Sequence, residues 1–367
     1  MKPMVLLFWL LPVVGNVYVL WHIWRLLPAM PWVKTLVVVL MVCAFLLLFA
    51  GVMGTRMGLS MPLQTVVYEI GTSWLVILLY LFMAFLLLDV GRWLRWVPAS
   101  LLKDSVAGSL GILGLMLVLF CYGNMRYHHK QRQPLELKTE KKMARSQKMV
   151  MMSDLHLGFH NRRAAFARWV DLVNAEHPDL ILIAGDIIDV STAPLEEEGV
   201  AEEFRRLNAP VIACWGNHEH YAGASRSSDF YRDAGIILLR DSVMEWGDIC
   251  IVGREDRSKQ RRKPLADLMK GIDRSKYVIL LDHQPYHLEE AEKNGVDFQL
   301  SGHTHHGQIW PISWITDALY ECASGEWQRG KTRYYVSSGM GIWGGKFRIG
   351  TRSEYVVATL EQKSSND

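Results

Sequence analysis

Asp154-Leu155-His156, Gly185-Asp186-Ile187-Ile188-Asp189, Gly216-Asn217-His218-Glu219, His283 and Gly302-His303-Thr304-His305 follow one another along the second half of the sequence. Together they offer enough carboxylate, amide and imidazole groups for two divalent cations that share one carboxylate. Two such ions, about 3.5–4 Å apart, form the clamp used in phosphoester hydrolysis. A mixed oxygen and imidazole set suits Mn, Fe, Zn or Co, with Mn the first expectation, rather than Ca, which takes oxygens only. Asp154 and His156 are two residues apart, so on an extended strand both point to one face and can reach one ion. His303 and His305 share that spacing, but from a loop they could serve different ions. Asn217 adds a neutral oxygen, which keeps the site net positive and attractive to phosphate.

The ligand clusters need rigid supports, and several follow an apolar run: Val150-Met151-Met152, Leu180–Ala184, Val211–Cys214. Strands of this kind end in loops that can converge on one point. Between them, residues 163–176 read as a helix with Phe166, Trp169, Val170 and Val173 on one face and Arg168 and Asp171 outside. An acidic helix is expected around Leu195–Leu207. Later strands fit Ile249–Val252, Val278–Leu281, Phe298–Leu300, Arg333–Val336 and Tyr355–Leu360. The β–α alternation with a strand-richer tail predicts two packed sheets with helices outside, an α/β fold.

The order and spacing of the five blocks, over roughly Lys148 to Leu360, resemble the calcineurin-like metallophosphoesterase superfamily. Within it the chain is similar to a bacterial membrane-associated branch, in which Gly-His-Thr-His is followed closely by Gly-Gln, here Gly307-Gln308. The endings Tyr335-Val336-Ser337-Ser338-Gly339-Met340-Gly341 and Arg352-Ser353-Glu354 agree with that branch. Three positions depart from it: His306 stands where glycine is usual, Ser338 where arginine is usual, Ser353 where proline is usual. None removes a metal ligand, but a lost arginine bears on how the substrate phosphate is gripped. The resemblance implies a four-layer αββα sandwich, with Asp154, His156 and His305 on one ion, Asn217, His283 and His303 on the other, and Asp186 bridging. A hydroxide held between the ions would attack phosphorus in line with the leaving alkoxide, while the metals and a nearby cation stabilise the equatorial charge. His218 is not needed as a ligand and is assigned to protonate the leaving oxygen or stabilise the transition state. Asp189 is the natural group to orient and charge it.

The chain has 367 residues, 50% of them hydrophobic, and the apolar excess lies at the front. A formal charge of +3 marks neither a nucleic-acid binder nor a trap for acidic substrates. Five cysteines without Cys-x-x-Cys spacing imply neither a disulfide framework nor a zinc knuckle; Cys43, Cys121 and Cys214 read as packing residues. Four apolar stretches, Met4–Trp24, Val33–Met53, Thr72–Val90 and Ala107–Tyr122, each approach the roughly 20 residues that cross a bilayer. A cleaved signal peptide does not fit several such stretches. Tryptophans near segment ends, among them Trp24, Trp32 and Trp93, match interfacial anchors. No acid–base pair suggesting transport is read in these helices. The expected organisation is an all-α transmembrane domain of about four helices over 1–125, a basic linker over 126–147 and the catalytic domain over 148–367. Lys2, Arg56, Arg126, Lys130, Arg132, Lys138, Lys141 and Lys142 on one side outweigh Arg25, Lys34, Arg92, Arg95 and Lys103 on the other, with an external catalytic domain as the alternative. By the positive-inside rule this puts the catalytic domain on the cytoplasmic side of a multi-pass protein of the bacterial inner membrane. The linker would run along the anionic leaflet, at about 1 kcal/mol per basic residue, or serve only as a solvated tether.

Other groups are less determinate. His160, His220 and His306 read as solvated loop histidines, with substrate contact as the alternative, and His128 and His129 read as solvated. Arg254, Arg257, Arg261, Arg262 and Lys263 either grip a phosphorylated head group or face water. Trp310, Trp327 and Trp343 read as core, with an apolar rim near the membrane as the other option. The leading function is a membrane-anchored dinuclear phosphoesterase acting on a lipid-linked phosphodiester, phosphomonoester or pyrophosphate, with the bilayer and that lipid as partners and no nucleic acid; oligomeric state is left open. Two other functions fit the same residues: a nucleotide or nucleic-acid phosphodiesterase that its helices merely localise, and a noncatalytic metal-binding membrane sensor or scaffold.

Overall fold

The computed structural model describes residues 3–53, 59–259 and 261–363, with side chains of the first helix described from Leu10 onward. The chain divides into two compact units, Met1–Asn124 with Gly344–Lys346, and Met125–Trp343 with Phe347–Asp367.

The first unit is helical: α1 (Pro3–Leu26), α2 (Pro31–Met53), α3 (Met61–Trp93) and α4 (Val106–His128). Pro31–Gly51, Met61–Trp93 and Val106–His128 are long and apolar enough to cross a membrane. The fourth expected stretch, Met4–Trp24, is helical as α1, but its first side chains lie outside the described residues. α2 and α3 approach closely at Gly71, where a Cβ would stand 2.5 Å from the Leu47 backbone; small residues permit such contact between apolar helices. One polar cluster was not foreseen. Tyr18 donates to Asp89 Oδ2 at 2.7 Å, and His22 Nε2 lies 3.0 Å from the same oxygen. The acid sits on α3 and its partners on α1, so linear sequence does not pair them.

The second unit holds two six-stranded sheets. The first runs β1 (Lys130–Thr139), β12 (Ser353–Gln362), β2 (Gln147–Met152), β3 (Leu180–Ala184), β4 (Val211–Cys214), β5 (Ile237–Leu238). The second runs β10 (Gly325–Arg329), β11 (Thr332–Val336), β9 (Phe298–Ser301), β8 (Tyr277–Leu281), β7 (Ile249–Gly253), β6 (Ser242–Trp246). β2, β3 and β4 are parallel neighbours, as are β7, β8 and β9. Outside them, in chain order, lie α5 (Arg163–Ala175), α6 (Ala193–Glu198), α7 (Ala201–Phe204), α8 (Asn217–Ala222), α9 (Ala224–Asp233), α10 (Leu265–Leu268), α11 (Leu288–Lys293) and α12 (Ile312–Leu319). The acidic helix expected over Leu195–Leu207 is broken at Gly199, whose φ of 65° is one that L side chains rarely adopt.

Alternation along the strands builds the layers. Met149, Met151, Leu182 and Ile212 pack with Ile251, Ile279 and Leu300 between the sheets. Val150, Ile181, Ile183 and Ala213 turn the other way and meet Phe166, Trp169, Val170 and Val173 of α5. Cys250, Val252, Val278 and Leu280 form the outer core of the second sheet with Leu265, Leu268 and Leu288. Burial of each such large side chain contributes about 1.5–3 kcal/mol. The result is the four-layer αββα sandwich.

The basic segment 126–147, read as a linker, instead contains β1, paired parallel with β12 from Lys130↔Ser353 to Thr139↔Gln362. Leu135, Leu137 and Thr139 are buried while Glu136 and Lys138 are exposed, a strand period hidden by Pro134. Proline lacks the donor a central strand needs but is tolerated on an edge strand, where β1 lies. Cys43 and Cys121 are exposed rather than packed, whereas Cys214, Cys250 and Cys322 are buried.

Candidate metal centre

Every ligand cluster sits on a loop leaving the C-terminal end of a parallel strand. Asp154 and His156 follow β2, Asp186 and Asp189 follow β3, Asn217 and His218 open α8 after β4, His283 follows β8, and His303 and His305 follow β9. That is where open parallel sheets place ligands. Five of these residues hold positive φ: Asp154 52°, His156 44°, Asp186 52°, His303 70° and His305 49°. Such backbone costs about 1–2 kcal/mol per residue without a glycine. Cross-loop hydrogen bonds offset it: Asp154 N–H donates to Gly185 O at 3.1 Å, His156 N–H to Asp186 O at 3.0 Å, and His303 N–H to Asp154 Oδ2 at 3.0 Å.

Two of the motif glycines exist for space. A Cβ on Gly216 would stand 2.1 Å from Asp186 Oδ1, and one on Gly302 would stand 2.2 Å from Asp154 Oδ2. The carboxylates lie where a side chain would be.

The donors then converge. His156 Nε2 is 2.9 Å from His305 Nε2, which is 3.3 Å from Asp154 Oδ1. His283 Nε2 is 3.1 Å from Asp186 Oδ2, and His156 Nε2 is 3.8 Å from that same oxygen. His303 closes a group with Asp186 and His283. Donors bound at about 2.1 Å to one ion are separated by roughly 3.0–3.4 Å, so these spacings fit ligation. Orphaned atoms agree: Asn217 Oδ1 and His283 Nε2 are buried without a hydrogen-bond partner. His283 gives its other nitrogen to Ala184 O at 2.7 Å, which fixes the ring with Nε2 facing Asp186.

Charge makes the same demand. Asp154, Asp186, Asp189 and Glu219 are all buried. Burial opposes their ionisation, but neighbouring histidines hold Asp154 and Asp189 well below the usual carboxylate range. Burial also opposes a charged His156, yet its bonds to Asp154 and Asp189 raise it to about 10. Burial, with the charge of His283, lowers His303 to about 4, leaving a neutral donor. So much buried negative charge requires positive charge within the cluster.

Asp189 serves two rings. Its Oδ1 lies 3.3 Å from His156 Nδ1 and 3.4 Å from His218 Nδ1, and its carbonyl oxygen is 3.1 Å from His218 Nδ1. His218 N–H also donates to Asp186 Oδ1 at 2.9 Å. Sequence reasoning paired Asp189 with His218 alone.

Two supporting residues were missed. Glu219 accepts from the N–H groups of Asp186, Ile187, Ile188 and Gly216 at 2.7–3.1 Å, tying the β3 and β4 loops together. Its place three residues after Gly216, in the first turn of α8, was a readable signal for such capping. Arg348 is fully buried and donates to the carbonyls of His305, Ser338 and Gly341 at 2.6–2.8 Å; nothing in the sequence marks it. Ser338, where the resemblance expects arginine, is buried, and its hydroxyl donates to Arg352 O at 2.9 Å.

Several expectations are corrected. His160 is buried, and His220 pairs with Glu255 Oε1 at 2.8 Å behind Trp215. His306 remains partly exposed, as expected, and pairs with Asp317 at 3.1 Å. Within the basic loop, Arg254 and Arg262 are bound internally to Asp282 at 3.1 and 3.0 Å, so they form no free patch. Trp310, Trp327 and Trp343 are half-exposed rather than core.

Known proteins resemble this chain in sequence. The family model for calcineurin-like phosphoesterases matches residues 148–307. The chain is 33% identical to an uncharacterized metallophosphoesterase of Campylobacter jejuni, over 59% of this chain and 59% of that one. It is 31% identical to the uncharacterized metallophosphoesterase YkuE of Bacillus subtilis, over 60% of this chain and 80% of that one. It is 29% identical to a transmembrane protein with a metallophosphoesterase domain of Danio rerio, over 59% of this chain and 53% of that one. It thus spans less than two thirds of the Campylobacter and Danio relatives. With the five ligand blocks gathered in one cluster and four fifths of a 31%-identical relative spanned, the chain belongs to the calcineurin-like phosphoesterase family.

Proposed function

We propose that the protein is a membrane-anchored, metal-dependent phosphoester hydrolase acting on a lipid-linked phosphate at the cytoplasmic face of a bacterial inner membrane. The observation that carries this reading is the position of Asp186, whose Oδ2 lies 3.8 Å from His156 Nε2 and 3.1 Å from His283 Nε2. Asp154, His156 and His305 would hold one divalent transition-metal ion, Mn first; Asn217, His283 and His303 would hold the second; Asp186 would be shared. Bound there, such cations supply Lewis acidity and lower the pKa of water.

The chain's own groups do the rest. Asp189 holds Nδ1 of His218 through its carbonyl and carboxylate, which leaves Nε2 to give a proton to the departing alkoxide. Glu219 and Arg348 fix the loops that carry Asp186 and His305. Arg348 spends its guanidinium on carbonyls, and Ser338 brings no charge, so neither grips the substrate phosphate.

The lipid assignment rests on three helices fit to span a bilayer in the same chain. A tethered site gains effective concentration toward substrates in the same membrane. The bias of Lys and Arg across the spans supports the cytoplasmic side.

Full-length protein with Mn should hydrolyse an activated aryl phosphodiester, and Asp186→Ala should abolish turnover. Activity that survives this substitution refutes the dinuclear site. Parallel turnover of phosphorylated lipids and of cyclic nucleotides in detergent separates the lipid reading from the nucleotide one.

A further inference from the structure

We propose that α12 and the aromatic residues around it are a lipid-docking surface that seats the catalytic unit on the bilayer beside the metal centre. The helix is amphipathic in the wrong sense for water. Trp314 is 64% exposed, Ile315 52% and Leu319 68%, while the one buried residue is Ser313. Positions 314, 315, 318 and 319 share one helical face, so the apolar stripe points outward and a small hydroxyl points in. α5 of the same unit shows the opposite pattern, with Phe166, Trp169, Val170 and Val173 buried. Trp310 stacks edge-on to Trp314 at 5.4 Å and extends the apolar face.

The occupant is argued from three observations. First, the same chain carries three helices long and apolar enough to cross a membrane, and only His129 separates α4 from β1. A unit tied so closely to a span stays near a bilayer. Second, the face combines tryptophan with aliphatic side chains, the composition of helices that lie in the headgroup region with their apolar side among the acyl chains. Third, a cation flanks it. Tyr320, directly after α12, meets Tyr286 hydroxyl to hydroxyl at 2.9 Å, and the Arg257 guanidinium lies 4.4 Å over the Tyr286 ring. Arg257 Nη1 is buried without a hydrogen-bond partner, and among the described residues its guanidinium pairs with no carboxylate, so the cation is not neutralised. The surface adjoins the site, because His306, next to the ligand His305, pairs with Asp317 of α12. A lipid lifted by this face would emerge beside the metal ligands. Docking of α12 does not depend on which phosphoester the centre cleaves.

The test uses the full chain in nanodiscs of phosphatidylethanolamine and phosphatidylglycerol. Exposed thiols are removed by Cys43→Ser and Cys121→Ser, and one spin label is placed through Leu319→Cys. The remaining thiols are buried, and burial raises Cys322 to about 11, so they label slowly. Power saturation should show the label several-fold more accessible to oxygen than to chromium oxalate, with the reverse at Lys270→Cys, a well-exposed position. Equal access of chromium oxalate at both positions overturns the proposal, because the helix then faces water. Shielding from both reagents also overturns it and indicates a second copy or another protein on this face. Ile315→Cys repeats the measurement should Leu319→Cys fail to fold, and adding Trp314→Asp should raise its chromium oxalate access several-fold. The readout needs no turnover, so it stands or falls apart from the hydrolase reading.

Discussion

Asp189 Oδ1 stands 3.3 Å from His156 Nδ1, on the side of the ring away from the donor cluster. A carboxylate behind a ligating imidazole fixes its tautomer and raises its basicity. Asp189→Asn should therefore weaken metal binding about 10–100-fold, measured by calorimetric titration of metal-free protein. It should also reduce turnover at saturating metal, because the same oxygen faces His218. Unchanged metal affinity would show that His156 needs no such support.

His218 should behave differently from the ligands. His218→Ala is expected to leave metal content unchanged and lower kcat by about 10²–10⁴ on substrates with poor leaving groups. The deficit should shrink for a nitrophenolate leaving group, which departs without a proton. A uniform loss across leaving groups would assign the ring to electrostatic stabilisation instead.

Glu219 tests how far the loops depend on one carboxylate. Glu219→Ala strands four backbone N–H groups of the β3 and β4 loops in a buried place. Each unsatisfied donor costs about 1–3 kcal/mol, so the melting temperature of the detergent-solubilised protein should fall by at least about 8 °C. Metal retention should fall with it. A shift of only a degree or two would mean that the loops hold without it.

Glu203 on α7 gives a pH signature. Burial raises its pKa, but Arg206 and Arg163 outweigh that and hold the carboxyl below its usual value. The folded chain then binds fewer protons than the unfolded one between the two values. Its stabilisation is complete above the unfolded value of about 4.3 and fades as pH falls through the folded one. Glu203→Gln should lower the melting temperature at pH 7 by roughly 2–4 °C, equivalent to about 1 kcal/mol. The gap between variant and parent should narrow as pH falls below the unfolded value and close once pH is below the folded one. A gap independent of pH would place the cost in packing rather than charge.

The ligand blocks were legible because coordination tolerates few residue types and the strands before them are plainly apolar. The supports were less so, since they act through backbone groups. Glu219 binds N–H groups brought together only by folding, and Arg348 binds carbonyls from three separate positions. β1 hid behind Pro134 and the basic residues Lys130, Arg132 and Lys138, which mask its strand period. α12 was not anticipated from the sequence, and only its place in the fold shows that its apolar side is not core. The His22–Asp89 pair spans two helices and had no local signal.

Five donors occupy left-handed backbone that the free polypeptide avoids. Cation capture and the completion of these turns are therefore thermodynamically coupled, each favouring the other. Stripping the centre with a chelator should release more than the ions: amide exchange should quicken first at residues 153–157, 185–189 and 302–306, while the sheets behind them stay protected.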